Sequence, residues 1–106
     1  MAFVYFIDNE YGLTKIGRTK KDPNKRMKEL PFPNLRLRFF FETGFASKLE
    51  VALHSRYNIH AQGREWFDLS EYPDDHLKNS CSQLNEGIYS IFSKSEYEIE
   101  YNKRLI

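Results

Sequence analysis

The chain has one cysteine, no long hydrophobic run and almost no net charge, and each scarcity removes a class of function. Cys81 has no partner for an internal disulfide, and no second thiolate exists to build a cysteine-based zinc site. It reads as a helix residue kept reduced. The opening apolar run, Ala2 to Ile7, stops at Asp8 without a cationic segment before it, too short for a signal peptide or a membrane span. An intracellular, cytoplasmic protein without membrane contacts is expected. Glycine-rich linkers, repeats and low-complexity tracts are missing, and 106 residues supply one compact core rather than two. A single domain over residues 1–106 follows.

The net charge of +1 conceals an asymmetry. Residues 14–38 carry nine basic side chains against two acidic, a net +7, whereas residues 65–101 carry nine acidic against two basic, a net −7. A basic stretch of that density suits a polyanion, whose affinity comes largely from phosphate contacts and counterion release. A solvated loop and helix would look the same on charge alone.

The residues Ala2 to Ile7 are aromatic and β-branched, and Leu13 to Gly17 follow after polar residues and Gly12, so a hairpin is expected. Asp22-Pro23 marks a helix start, with Asp22 as cap and Pro23 at the first helical position, and the helix should stop near Leu30 before Pro31 and Pro33. Leu35 to Thr43 begins with apolar and basic alternation, which predicts a third strand with Arg36 and Arg38 turned away from the core. Helical spacing returns from Ala46 to about Ile59, Trp66 to Leu69 reads as a short extended segment, and Leu77, Cys81, Leu84, Ile88 and Phe92 mark a second long helical pattern after Pro73. The predicted fold is α+β: a small three-stranded antiparallel sheet flanked by helices, with a C-terminal helix.

Five short elements stand in order along this framework. They are Phe3-Val4-Tyr5, Lys15-Ile16-Gly17-Arg18-Thr19, Pro23-x-x-Arg26-x-x-x-Leu30, Leu49-Glu50-x-x-Leu53-His54 and Gly63-x-Glu65-Trp66-Phe67. The set resembles the GIY-YIG nuclease family, in its phage and bacterial branch with a K-I-G-R-T second motif. The resemblance covers residues 3–69, placing a motif-bearing core in residues 1–70 and a helical extension in residues 71–106. It implies a metal-dependent endonuclease that hydrolyses DNA phosphodiester bonds.

By the same resemblance, Tyr5 helps to activate the attacking water and Lys15 lies beside it. A free phenol titrates at about pH 10, so cationic charge nearby favours its proton-accepting form. Arg26 would stabilise phosphoryl charge with two donors in a fixed fork. Glu50 would hold Mg2+ or Mn2+, because a hard divalent ion takes carboxylate oxygen and fills its octahedron with water and phosphate. His54, four residues on, shares the helical face of Glu50 and would contact phosphate or position water. Leu30 stands where many family members carry a histidine, which leaves that work to His54 or Tyr57. Arg18, Lys20, Lys21, Lys25, Arg36 and Arg38 would grip the DNA backbone.

Plainer readings stand beside these. Tyr5 reads equally as a half-buried strand aromatic, Lys15 as a solvated hairpin residue and Arg26 as a solvated helix charge. Ser47-x-x-Glu50 is also a capping box that would fold Glu50 back onto its own helix start. His60 and His76 read as surface histidines, and Trp66 and Phe67 as core anchors. With no recognition segment appended, specificity is expected to be weak, or supplied by a homodimer or a protein partner. The rival function is a catalytically inactive binding module, an inhibitor or adaptor acting through DNA or protein contacts, its acidic stretch imitating nucleic acid.

Overall fold

A computed structural model describes residues 1–105 of the chain, with side chains as far as Phe92. The charges at Lys94, Glu96, Glu98 and Glu100, part of the −7 stretch, lie outside the described side chains. Strand β1 (Ala2–Asp8) and strand β2 (Thr14–Thr19) form the expected hairpin. Its turn is held by Asn9, whose side-chain oxygen accepts from the Tyr11 and Leu13 amides, and Gly12 takes the left-handed conformation at φ 79°. Helix α1 (Pro23–Glu29) starts where the sequence places it, with the Asp22 carboxylate accepting from the Asn24 amide and Leu30 already extended.

Strand β3 (Arg36–Thr43) pairs with the other side of β1, and strand β4 (Trp66–Phe67) pairs with β2, so the antiparallel order is β3-β1-β2-β4. The extended segment expected at Trp66 is thus a fourth, two-residue strand of the same sheet. Helix α2 (Ala46–Arg56) runs into a 3-10 turn at Asn58–His60, and helix α3 (Asp74–Leu105) closes the chain.

Alternation along β1 separates two environments. Val4 and Phe6, with Ile16 and Phe39, face Leu49, Leu53 and Tyr57 of α2 and Leu77 and Cys81 of α3 in one buried cluster. Each such side chain contributes roughly 1.5–3 kcal/mol through burial. Phe6 and Phe39 stack with ring centroids 4.4 Å apart, and a buried Tyr57 to Ser80 hydroxyl contact of 2.7 Å fixes α3 on α2. Burial pushes the Cys81 thiol up to about 12, so it stays protonated and inert, as expected of a core cysteine. The other face carries Tyr5 and Ile7 from β1 and Lys15 from β2, all buried, with α1 lying against β1 and β3. Among the described residues no helix is long and apolar enough to cross a membrane.

Candidate active site

The two environments meet at the edge of β2. Strand β4 covers that edge only at Thr14 and Lys15, and the last contact is the Ile16 amide donating to the Glu65 carbonyl at 3.1 Å. Helix α2 packs alongside, and His54 Nε2 lies 2.8 Å from the Ile16 carbonyl oxygen. A carbonyl only accepts, so Nε2 carries the hydrogen and donates to Ile16.

Glu50 sits one turn before His54, half-buried. Burial raises its pKa above the ordinary carboxylate range, with Glu65 adding to the rise while His54, Arg18 and Lys15 offset it. Among the described residues Glu50 has no hydrogen bond or ion pair. The capping-box reading fails, because the helix starts at Phe45 without a side-chain cap, and Ser47 Oγ instead accepts from Arg18 Nη1 at 2.8 Å.

Tyr5 lies opposite Gly17 in the hairpin register and is only 2% exposed. The end of its ring rests on Gly17, where a Cβ would overlap the hydroxyl oxygen. Arg26 of α1 lies close to the same phenol, whose oxygen is the first cause of a raised guanidinium pKa, opposed by burial and helped by Glu29. Arg26 Nη1 also lies 3.4 Å from the Glu29 carboxylate.

Lys15 is not a solvated hairpin residue: its side chain is 9% exposed and pairs with the Glu65 carboxylate. That hydrogen bond holds the Glu65 carboxyl below its ordinary range against the effect of burial, and the charges of His54 and Arg26 lower it further. Glu65 therefore feels both sides of the sheet edge. Its place in the Gly63-x-Glu65-Trp66-Phe67 element implies no role by itself, since only the β2–β4 register brings it to Lys15.

The basic residues separate on inspection of their partners. Lys20 and Lys25 are exposed, Lys21 pairs with Glu29 at 2.8 Å, and Arg36 is 77% exposed with Asp8 at 3.1 Å. Arg38 is a correction to the expected DNA-gripping set. Its side chain is 8% exposed, with Nε on Asp74 at 2.7 Å and Nη2 on the Tyr72 carbonyl at 2.7 Å. The start of α3 covers this end of the sheet, so alternation along β3 does not send Arg38 into solvent. His60 is likewise half-buried rather than on the surface, its Nε2 lying 2.9 Å from the Tyr72 hydroxyl. A cleft of about 490 Å3 is lined by Arg18, Lys20 and Ser47 among others, and of these Arg18 also acts on the Glu50 carboxyl through its charge.

Among the described residues no group of three or more His, Cys, Asp or Glu side chains is arranged to hold a metal ion. Magnesium does not require one, since it is commonly anchored by one or two carboxylates and otherwise by water and phosphate. Glu50, part-buried and unpartnered, fits such an anchor better than Glu65, which Lys15 already occupies.

A family model described as the T5orf172 domain matches residues 2–96. This family is distinct from the GIY-YIG nucleases, so the resemblance drawn from short motifs is overturned. Three- and five-residue elements are too short to discriminate between families. No curated protein and no solved structure matches the chain.

Proposed function

The chain belongs to the T5orf172 domain family, and on the geometry of the β2 edge we propose that it is a divalent-metal-dependent endonuclease hydrolysing DNA phosphodiester bonds. One observation carries the reading. Groups from separate elements, Tyr5 on β1, Lys15 on β2, Arg26 on α1, Glu50 and His54 on α2 and Glu65 before β4, are linked through direct contacts and mutual fields. That set contains what phosphodiester hydrolysis requires: a proton acceptor for water, cations for phosphoryl charge and a carboxylate for a hard ion.

Glu50 would hold Mg2+ or Mn2+, and the bound ion would polarise the phosphoryl group and stabilise the leaving oxygen. The protein's own groups do the rest. The Tyr5 oxygen, held between Gly17 and Arg26, helps to activate the attacking water. Arg26 offers the phosphate a rigid fork of donors and remains cationic at any working pH. Lys15, positioned by Glu65, adds a second charge, and His54 contacts the phosphate or positions water on the α2 side. Arg18, Lys20, Lys21, Lys25 and Arg36 hold the backbone on either side, which fixes position without reading sequence. Specificity then comes from a second copy or a protein partner, in an intracellular setting.

The inactive-module reading draws on the acidic stretch, where Asp74 is already engaged by Arg38. Incubation with supercoiled plasmid decides between them. Nicking that needs Mg2+ or Mn2+, and that disappears in folded Tyr5→Phe, Arg26→Ala and Glu50→Ala proteins, supports the nuclease. Intact plasmid with both ions overturns it.

A further inference from the structure

Next to this cluster lies an aromatic pair that the proposed hydrolysis does not use. Phe32 stands in the Pro31-Phe32-Pro33 loop between α1 and β3 and is 44% exposed. Its ring meets Trp66 edge to face, with centroids 5.4 Å apart and planes at 86°. Trp66 in turn has Lys15 Nζ 5.9 Å from its ring centroid, and Lys15 pairs with Glu65. An exposed aromatic face is thus two contacts away from the groups assigned to the phosphate.

The core does not account for this arrangement. Neither ring belongs to the buried cluster between the sheet and α2 and α3. Prolines on both sides of Phe32 fix two backbone angles, so the loop presents the ring with little conformational freedom left to lose on binding. An exposed phenylalanine ring against a half-buried tryptophan, beside an ammonium group, matches the chemistry of a nucleic-acid strand, in which flat aromatic bases alternate with anionic phosphates.

We propose that Phe32 and Trp66 form a stacking platform for an unpaired base beside the scissile phosphate. The substrate class of this site is therefore DNA whose bases are already unstacked, such as single strands, flaps and junctions. In continuous duplex each base face is covered by its neighbours, and a ring can reach one only after extrusion, which costs free energy. The assignment rests on the nuclease reading, because that reading places the phosphate at Lys15 and Arg26.

Trp66 is the only tryptophan in the chain, so its fluorescence reports on the platform directly. The full chain is titrated in EDTA, where turnover is blocked, with a short single-stranded deoxyoligonucleotide, its duplex form and a strand bearing abasic sites. The intact single strand should quench Trp66 and bind more tightly than duplex, and the abasic strand should lose the quench. Phe32→Ala should weaken single-strand binding about tenfold and leave duplex binding unchanged. Phe32→Tyr should bind normally, and Phe32→Leu, which keeps apolar packing without an aromatic face, should behave like alanine. Equal binding of strand and duplex, unchanged Trp66 emission or normal binding by Phe32→Leu overturns the platform. Failure of the nuclease reading looks different: no DNA is cut when Mg2+ is restored, whatever the binding result.

Discussion

The end of the Tyr5 ring occupies the space in which a Cβ at residue 17 would lie, and Gly17 is its direct partner across the β1–β2 hairpin. Glycine is required here for close approach rather than for an unusual backbone angle. The phenol can then lie flat over β2 and still meet Arg26 of α1.

We expect Gly17→Ala to push the hydroxyl away from Arg26. A displacement of about 1 Å at a reacting group commonly lowers turnover by about 100-fold, and overpacking a buried site costs about 1–3 kcal/mol. Plasmid nicking and thermal melting should therefore separate, with activity nearly lost in a protein that remains folded. Near-normal nicking would mean that the position of Tyr5 is irrelevant to cleavage.

Glu50 should trade stability for function. Its folded-state pKa is raised by burial, so the stability associated with its protonated form is complete below the unfolded value and is lost as pH rises through the folded one. At neutral pH the charged carboxylate opposes folding. In EDTA, Glu50→Gln should melt higher than wild type, by no more than about 1 kcal/mol because solvent screens a half-exposed group. Mg2+ should then raise the melting temperature of wild type and leave the variant unchanged. An equal response of both proteins to Mg2+ would remove Glu50 as the anchor.

The same carboxyl should set the acid limb of activity. Cleavage needs ionised Glu50, so the rate should fall with falling pH at values above the ordinary glutamate range, in the direction burial imposes. A bound cation favours the charged form, and higher Mg2+ should move the limb to lower pH. A limb that ignores Mg2+ concentration would assign it to another group.

Much of the framework was legible because it is local. The β1–β2 hairpin follows from Asn9 and Gly12 between apolar runs, and α1 from Asp22-Pro23 at one end and Pro31 beyond the other. Tyr5, Lys15, Arg26, Glu50 and His54 are also named from sequence; the fold sets Arg26 against Tyr5, Lys15 against Glu65, and Glu50 within the fields of His54 and Lys15. The family was not legible, since its short motifs recur by chance and the T5orf172 match rests on residues 2–96 together. Nor was Glu65, whose place depends on the pairing of the short Trp66 segment with β2, which its sequence does not specify. The helical pattern ending at Phe92 likewise gave no sign that the backbone of α3 continues to Leu105.

Glu65 should act by placing Lys15. Its carboxyl is held low by the Lys15 hydrogen bond, so it stabilises the fold above the unfolded pKa, and this contribution is lost as pH falls through the folded value. Glu65→Gln should lower the melting temperature at neutral pH, and the difference should vanish in acid. Cleavage should drop by about tenfold, as when a supporting partner of a reacting group is removed. Adding Lys15→Met to Glu65→Gln should cost little beyond Lys15→Met alone, if the two work as one unit. Fully additive losses would make Glu65 an independent participant.

Arg36 and Arg38, two residues apart on β3, should behave as different kinds of residue. Arg36 is exposed and its ion pair with Asp8 is worth little in water, so Arg36→Ala should leave melting nearly unchanged and weaken DNA binding at low salt. Arg38 donates to Asp74, to Thr14 Oγ1 at 3.2 Å and to the Leu69 and Tyr72 carbonyls, all at the start of α3 or the sheet end beneath it. Its removal leaves the Leu69 and Tyr72 carbonyls without their donor, while Asp74, 45% exposed, stays hydrated, so the cost should be about 1–3 kcal/mol. Arg38→Lys should not restore the fold, because one ammonium cannot reach partners spread around a planar fork. Melting curves of the three variants test this directly. A stable Arg38→Ala protein with weakened DNA binding would return Arg38 to the phosphate-contacting set.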